Sequence, residues 1–126
     1  MGHILVQVDL AWKKRIRLKM LVDTGATHSV LPIDVARRLG IPKSPRKVKV
    51  ELADGTRKEM GLGTVLVRLL GREAGDTVVI GPKGIEPLLG VEALEALGLS
   101  LDPRRGTLKP SRSRGALLVG LRTRRR

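Results

Sequence analysis

The sequence has no cysteine. Disulfide frameworks and thiolate metal sites are therefore excluded. Phenylalanine and tyrosine are absent too, and Trp12 is the single aromatic residue. Stacking platforms for single-stranded nucleic acid need several rings, so that mode of binding is nearly excluded. His3 and His28 are the only histidines. A Ser-His-Asp triad would have to use one of them, and neither accompanies a nucleophile elbow. No apolar run is long enough to span a bilayer. The N-terminus has no basic region leading into an apolar segment, so no signal peptide is expected. These absences lead us to expect a soluble cytoplasmic protein with no membrane partner.

Acidic residues are scarce: 12 against 25 Lys and Arg, for a net charge of +13. Six of the basic residues (Arg112, Arg114, Arg122, Arg124, Arg125 and Arg126) fall in residues 111–126, which hold no acid. We read this stretch as a basic C-terminal tail, in which the apolar island Ala116 to Leu121 either adds an interface strand or is disordered. Such charge suits phosphates or anionic surfaces. With so few aromatics, a solvated face plus a basic tail ranks above a dedicated nucleic-acid site. The remaining chain is long enough for one domain with a modest core, and 41% hydrophobic content is that of a globular protein.

What the chain does have is Leu21-Val22-Asp23-Thr24-Gly25-Ala26-Thr27-His28-Ser29-Val30-Leu31-Pro32. Apolar residues flank a carboxylate, a hydroxyl and a glycine. Burying an ionised carboxylate is costly unless it is paired or hydrogen-bonded. Asp23 is thus either a turn residue or a catalytic acid. Gly25 permits a tight approach of backbone N–H groups, and Thr24 and Thr27 supply hydroxyls.

Asp23-Thr24-Gly25-Ala26, with two apolar residues before it and Ser29-Val30-Leu31 after it, resembles the active-site loop of the retropepsin-like aspartic proteases. The plain alternative is a strand ending in an Asx turn. A second match lies downstream. Leu88-Leu89-Gly90 precedes an amphipathic helix, Val91 to Leu97, ended by Gly98. In the resembled family such a strand crosses behind the catalytic loop, and its glycine permits close approach.

The intervening pattern fits. Ile4 to Asp9 and Arg15 to Val22 read as a hairpin, the second strand alternating with period two. Trp12 sits near its tip, where a partly buried surface position ranks above a place in a substrate pocket. Pro32 and Gly40 bracket a short helix, with Asp34 a structural residue of its first turn. Val48 to Leu52 and Thr56 to Leu62 flank Ala53-Asp54-Gly55, and Asp-Gly predicts a type I′ turn. The resemblance makes this hairpin the flap. Thr64 to Leu70 reads as a strand, Gly71 to Gly75 as a turn, and Asp76 to Ile80 as the next strand. Leu99 to Asp102 and Gly106 to Lys109 read as closing strands around an Asp102-Pro103 turn. Neither Gly61-Leu62-Gly63 nor Gly81-Pro82-Lys83-Gly84 completes a nucleotide-binding motif.

The resemblance implies a mostly β, closed-barrel acid protease fold, with one or two short helices and one lobe per chain. It places the protease domain at residues 1–110. It implies an aspartic endopeptidase with Asp23 catalytic, Thr24, Gly25, Ala26 and Thr27 supporting the loop, and Ala53, Asp54 and Gly55 at the flap tip. It requires no metal or organic cofactor. Two carboxylates are needed to share one proton, and the chain has one Asp-Thr-Gly. The expected partners are a second copy of the chain and a peptide or unfolded protein. The alternatives are a catalytically inactive binding module of the same fold, or a basic nucleic-acid-binding protein.

Overall fold

The computed structural model describes residues 4–42 and 44–111. The tail and its apolar island, residues 112–126, lie outside them. Nine strands and two short helices alternate along the described chain. β1 (Ile4–Ala11) and β2 (Arg15–Val22) form the expected antiparallel hairpin, in register from Ile4 opposite Val22 to Ala11 opposite Arg15. Along β2, Met20 and Val22 are buried while Arg15, Arg17 and Lys19 point outward. That is the consequence of period-two patterning. β3 (Ser29–Pro32) leads into α1 (Ile33–Leu39). Pro32 is the extended N-cap, and Gly40 closes the helix in the left-handed region at φ 76°. The N–H groups of Lys13 and Lys14 donate to the Leu39 carbonyl, so the β1–β2 tip satisfies the end of α1. Trp12, at that tip, is 43% exposed.

β4 (Lys47–Glu51), β5 (Arg57–Leu69) and β6 (Arg72–Gly81) follow as an antiparallel meander. Three expectations are corrected here. β5 is one strand of 13 residues, not two. Gly61 and Gly63 mark a change of partner and a close packing contact, not a break. Gly61 lies opposite Lys47 on β4 and Ile80 on β6. A Cβ on Gly63 would stand 2.6 Å from Ile41 Cγ2. The type I′ turn lies at Leu70-Gly71, where φ is positive at both residues (52° and 72°). β6 therefore starts at Arg72 instead of following a turn through Gly75. At the β4–β5 tip only Gly55 has positive φ. There the Gly55 N–H donates to Leu52 and the Leu52 N–H to Thr56, giving a three-residue loop with glycine in the left-handed position.

β7 (Leu88–Leu89), Gly90 and α2 (Val91–Leu97) match the sequence reading. β8 (Leu99–Asp102) and β9 (Thr107–Pro110) form their own two-stranded sheet. The large sheet has the order β1-β2-β7-β3-β6-β5-β4. β1 also pairs with β5, Leu10 standing opposite Val67, so six strands run round in a ring and β4 hangs outside it. The core fills the ring and the space under the helices, with Val8, Leu10, Met20, Leu31, Leu39, Val65, Val67 and Leu89 at 1% exposure or less. Each large aliphatic side chain buried in this way contributes about 1.5–3 kcal/mol. The fold is mostly β with two short helices, as expected.

Candidate active site

The site is built where β7 threads between β2 and β3. β2 delivers the chain to Asp23, and β3 carries it away from Ser29. β7 pairs parallel to β2 (Leu21 with Leu88, Val22 with Leu89) and antiparallel to β3 (Val30 with Leu88). The loop 23–28 between them is fixed from behind. The Asp23 N–H donates to the Leu89 carbonyl at 3.0 Å. The N–H groups of Val91 and Glu92 donate to the Ala26 and Thr27 carbonyls at 2.8 and 3.1 Å. Gly90 is what allows this. A Cβ there would stand 2.5 Å from the His28 carbonyl carbon, 2.7 Å from its oxygen and 2.9 Å from the Ser29 nitrogen.

Within the loop the Gly25 N–H donates to Asp23 Oδ1 at 3.0 Å, and a Cβ on Gly25 would stand 3.3 Å from that oxygen. The Ala26 N–H donates to the Asp23 carbonyl. The carboxylate is thus oriented by the backbone and stays partly open to solvent. Thr24, Gly25 and Thr27 are exposed, and Ala26 is half-buried.

A groove of about 700 Å³ runs between this loop and the β4–β5 hairpin. Asp23, Gly25, Ala26, Thr27 and His28 line one wall, and the residues from Val48 to Ala53 line the other. Met60, Val79, Ile85 and Leu88 contribute apolar surface. Along β4, Val48 and Val50 are half-buried while Lys47, Lys49 and Glu51 are exposed. Of the three tip residues singled out from sequence, Ala53 lines the groove; Asp54 and Gly55 shape the turn instead. Asp54 Oδ1 accepts from the Thr56 N–H and hydroxyl at 2.9 and 2.6 Å. Those bonds hold its carboxyl below the usual carboxylate range. Trp12 and Thr24 are not among the residues lining the groove.

Sequence reasoning missed a group behind the loop. Asp76, on β6, is 4% exposed. Its carboxylate accepts a hydrogen bond from the Ser29 hydroxyl, and Ser29 Oγ accepts the Gly90 N–H at 3.0 Å. Burial pushes the Asp76 carboxyl up; the Ser29 hydroxyl and nearby His28 oppose this, and Glu92 adds to it. His28 Nδ1 stands 3.2 Å from Glu92 Oε2, close enough for an ion pair when protonated but not aligned as a hydrogen bond. The signal was present: Asp76 shares its strand face with Val78 and Ile80. Among the described residues, no group of His, Asp and Glu is arranged to hold a metal ion. Among the same residues, no helix is long and apolar enough to cross a membrane.

A ring of strands with a hairpin over an Asp-Thr-Gly loop defines the class: a retropepsin-like fold. The sequence model of the family described as "gag-polyprotein putative aspartyl protease" matches residues 8–96. The chain belongs to that aspartyl protease family. Among solved structures it is similar to EIAV protease complexed with the inhibitor HBY-793. That likeness has a TM-score of 0.59 at 25% identity, covering 80% of this chain and 93% of that one. No curated protein matches the sequence.

Proposed function

We propose that the protein is an aspartic endopeptidase that works as a homodimer, with Asp23 and the partner's Asp23 forming one dyad. The observation that carries this reading is the Asp23 carboxylate. It is held by the Gly25 N–H at the edge of a groove of about 700 Å³. The chain supplies one such carboxylate, and a residue beside a two-fold axis meets its own mate. The exposed Thr24 and Gly25 suit such a contact.

The dyad holds one proton between two carboxyls. The ionised member takes a proton from water as the water oxygen bonds to the scissile carbonyl carbon. The protonated member donates to the carbonyl oxygen. Collapse of the tetrahedral intermediate breaks the C–N bond, and a proton passes to the leaving nitrogen. Ala26 and Thr27 support the loop through their carbonyls, and the hairpin around Ala53 excludes water from the groove. Residues 1–110 make up the peptidase unit, residues 111–126 its basic tail. The aliphatic lining suits peptide segments with small or branched apolar side chains.

The test is peptide cleavage-site profiling of a denatured protein mixture with wild type beside Asp23→Asn. Wild type yields defined cleavages sensitive to pepstatin-type inhibitors, and the variant yields none. Equal cleavage by both removes Asp23 from the mechanism.

A further inference from the structure

Among the described residues, two buried side-chain polar atoms have no hydrogen-bond partner: His28 Nδ1 and Asp76 Oδ2. Buried polar atoms are nearly always paired, and these two belong to groups within electrostatic reach of each other. Both flank Ser29, which ends the Asp23 loop. The charged groups facing Asp76 are His28, from that loop, and Glu92, from α2. Its cross-strand neighbour on β5 is the apolar Val65.

A serine hydroxyl has one hydrogen. When that hydrogen is given to Asp76, the oxygen's lone pairs are free to face the Gly90 N–H, as the 3.0 Å contact requires. Gly90 is the residue whose backbone presses on His28, and its neighbours hold Ala26 and Thr27. The chain of contacts from Asp76 through Ser29 to Gly90 therefore ends on the loop that carries Asp23. An asparagine could accept the Ser29 hydrogen equally well without the cost of burying a charge. The carboxylate adds an electrostatic link to His28, which lines the groove.

We propose that Asp76 is a positioning residue for the Asp23 loop, acting through the Ser29 hydroxyl and the Gly90 amide. Ionisation of Asp76 commits the Ser29 hydrogen and tightens the loop against Gly90. Neutral Asp76 can donate to Ser29 itself, which loosens that polarity. The functional part of this inference rests on the peptidase reading of Asp23; the structural part does not.

Two measurements test it. The first is the amide chemical shifts of Gly90, Asp23 and Gly25 followed against pH in the full chain. They share one titration step in wild type and in Asp23→Asn, and lose it in Asp76→Asn. Absence of that step in wild type, or its survival in Asp76→Asn, overturns the proposal whether or not the protein cleaves peptides. The second is the pH profile of kcat. Asp76→Asn loses one limb that wild type shows. Ser29→Ala lowers kcat about tenfold, with KM within about twofold, and Ser29→Thr restores it. A superimposable Asp76→Asn profile in an active enzyme overturns the catalytic role. If wild type does not cleave at all, the peptidase reading fails and the amide titration alone decides the coupling.

Discussion

Gly90 and His28 touch through their backbones: a Cβ on Gly90 would stand 2.5 Å from the carbonyl carbon of His28. Neither side can yield easily, because Gly90 is anchored by Ser29 Oγ and His28 lies in the loop that α2 holds. Gly90→Ala is expected to cost about 3 kcal/mol, at the upper end for overpacking against rigid atoms. Urea unfolding of the variant checks this. Unchanged stability would mean that the loop and β7 are free to separate.

Subunit mixing tests the shared dyad. If each active centre takes one Asp23 from each chain, adding excess Asp23→Asn protein to a fixed amount of wild type forms mixed dimers. Activity should then fall well beyond any effect of added inert protein. Residual activity of those mixed dimers should be lower by about 10²–10⁴-fold, the usual worth of a positioned acid or base. Constant activity under excess variant contradicts the shared centre.

Asp76 makes a signed prediction about stability and pH. Burial raises its carboxyl above its ordinary value of 3.8. The folded state thus holds this proton more tightly than the unfolded chain. The contribution is fully present below the unfolded value and is lost as pH rises through the folded one. Relative to Asp76→Asn, wild type should lose stability with increasing pH across that window. Unfolding free energies of both proteins at several pH values measure the difference. A difference that stays constant, or grows with pH, would show that Asp76 ionises in the fold at least as easily as in solution.

Leu70 occupies the left-handed region at φ 52° while 58% exposed. A leucine there is strained by about 1 kcal/mol, and its side chain returns little through burial. Leu70→Asn gives the Asn-Gly pair that a type I′ turn favours. The variant should be about 1 kcal/mol more stable by denaturant unfolding, with cleavage unaffected. A loss of stability would mean that Leu70 packs in a way its exposure does not reveal.

Local signals made part of this fold legible in sequence. The alternation from Arg15 to Val22 sets the face of β2, and Pro32 and Gly40 bracket α1 by fixed backbone preferences. Leu88-Leu89-Gly90 before a helical repeat located the strand behind the loop. What was illegible depended on distant partners. A glycine reads alike in a turn and beneath Ile41, so Gly63 looked like punctuation inside what proved a continuous strand. Asp54-Gly55 carries the stronger type I′ signature, yet the three-residue loop there lets Asp54 bond Thr56, while the meander register places the two-residue turn at Leu70-Gly71. The closing strands on either side of Asp102-Pro103 were legible and do pair with each other, but that they form a sheet of their own was not. The buried Asp76 is the instructive omission: its charge drew attention away from its place in an inward-facing pattern.

The ring of strands is complete without β4. The hairpin that forms one wall of the groove, from Lys47 to Met60, contributes no rung to that ring. β5 changes neighbour at Gly61, which lies opposite both Lys47 and Ile80; from Arg57 to Met60 it pairs with β4 alone. The groove's two walls therefore rest on separate sets of hydrogen bonds: one on the β4–β5 pairing alone, the other on β7 and α2 behind the Asp23 loop.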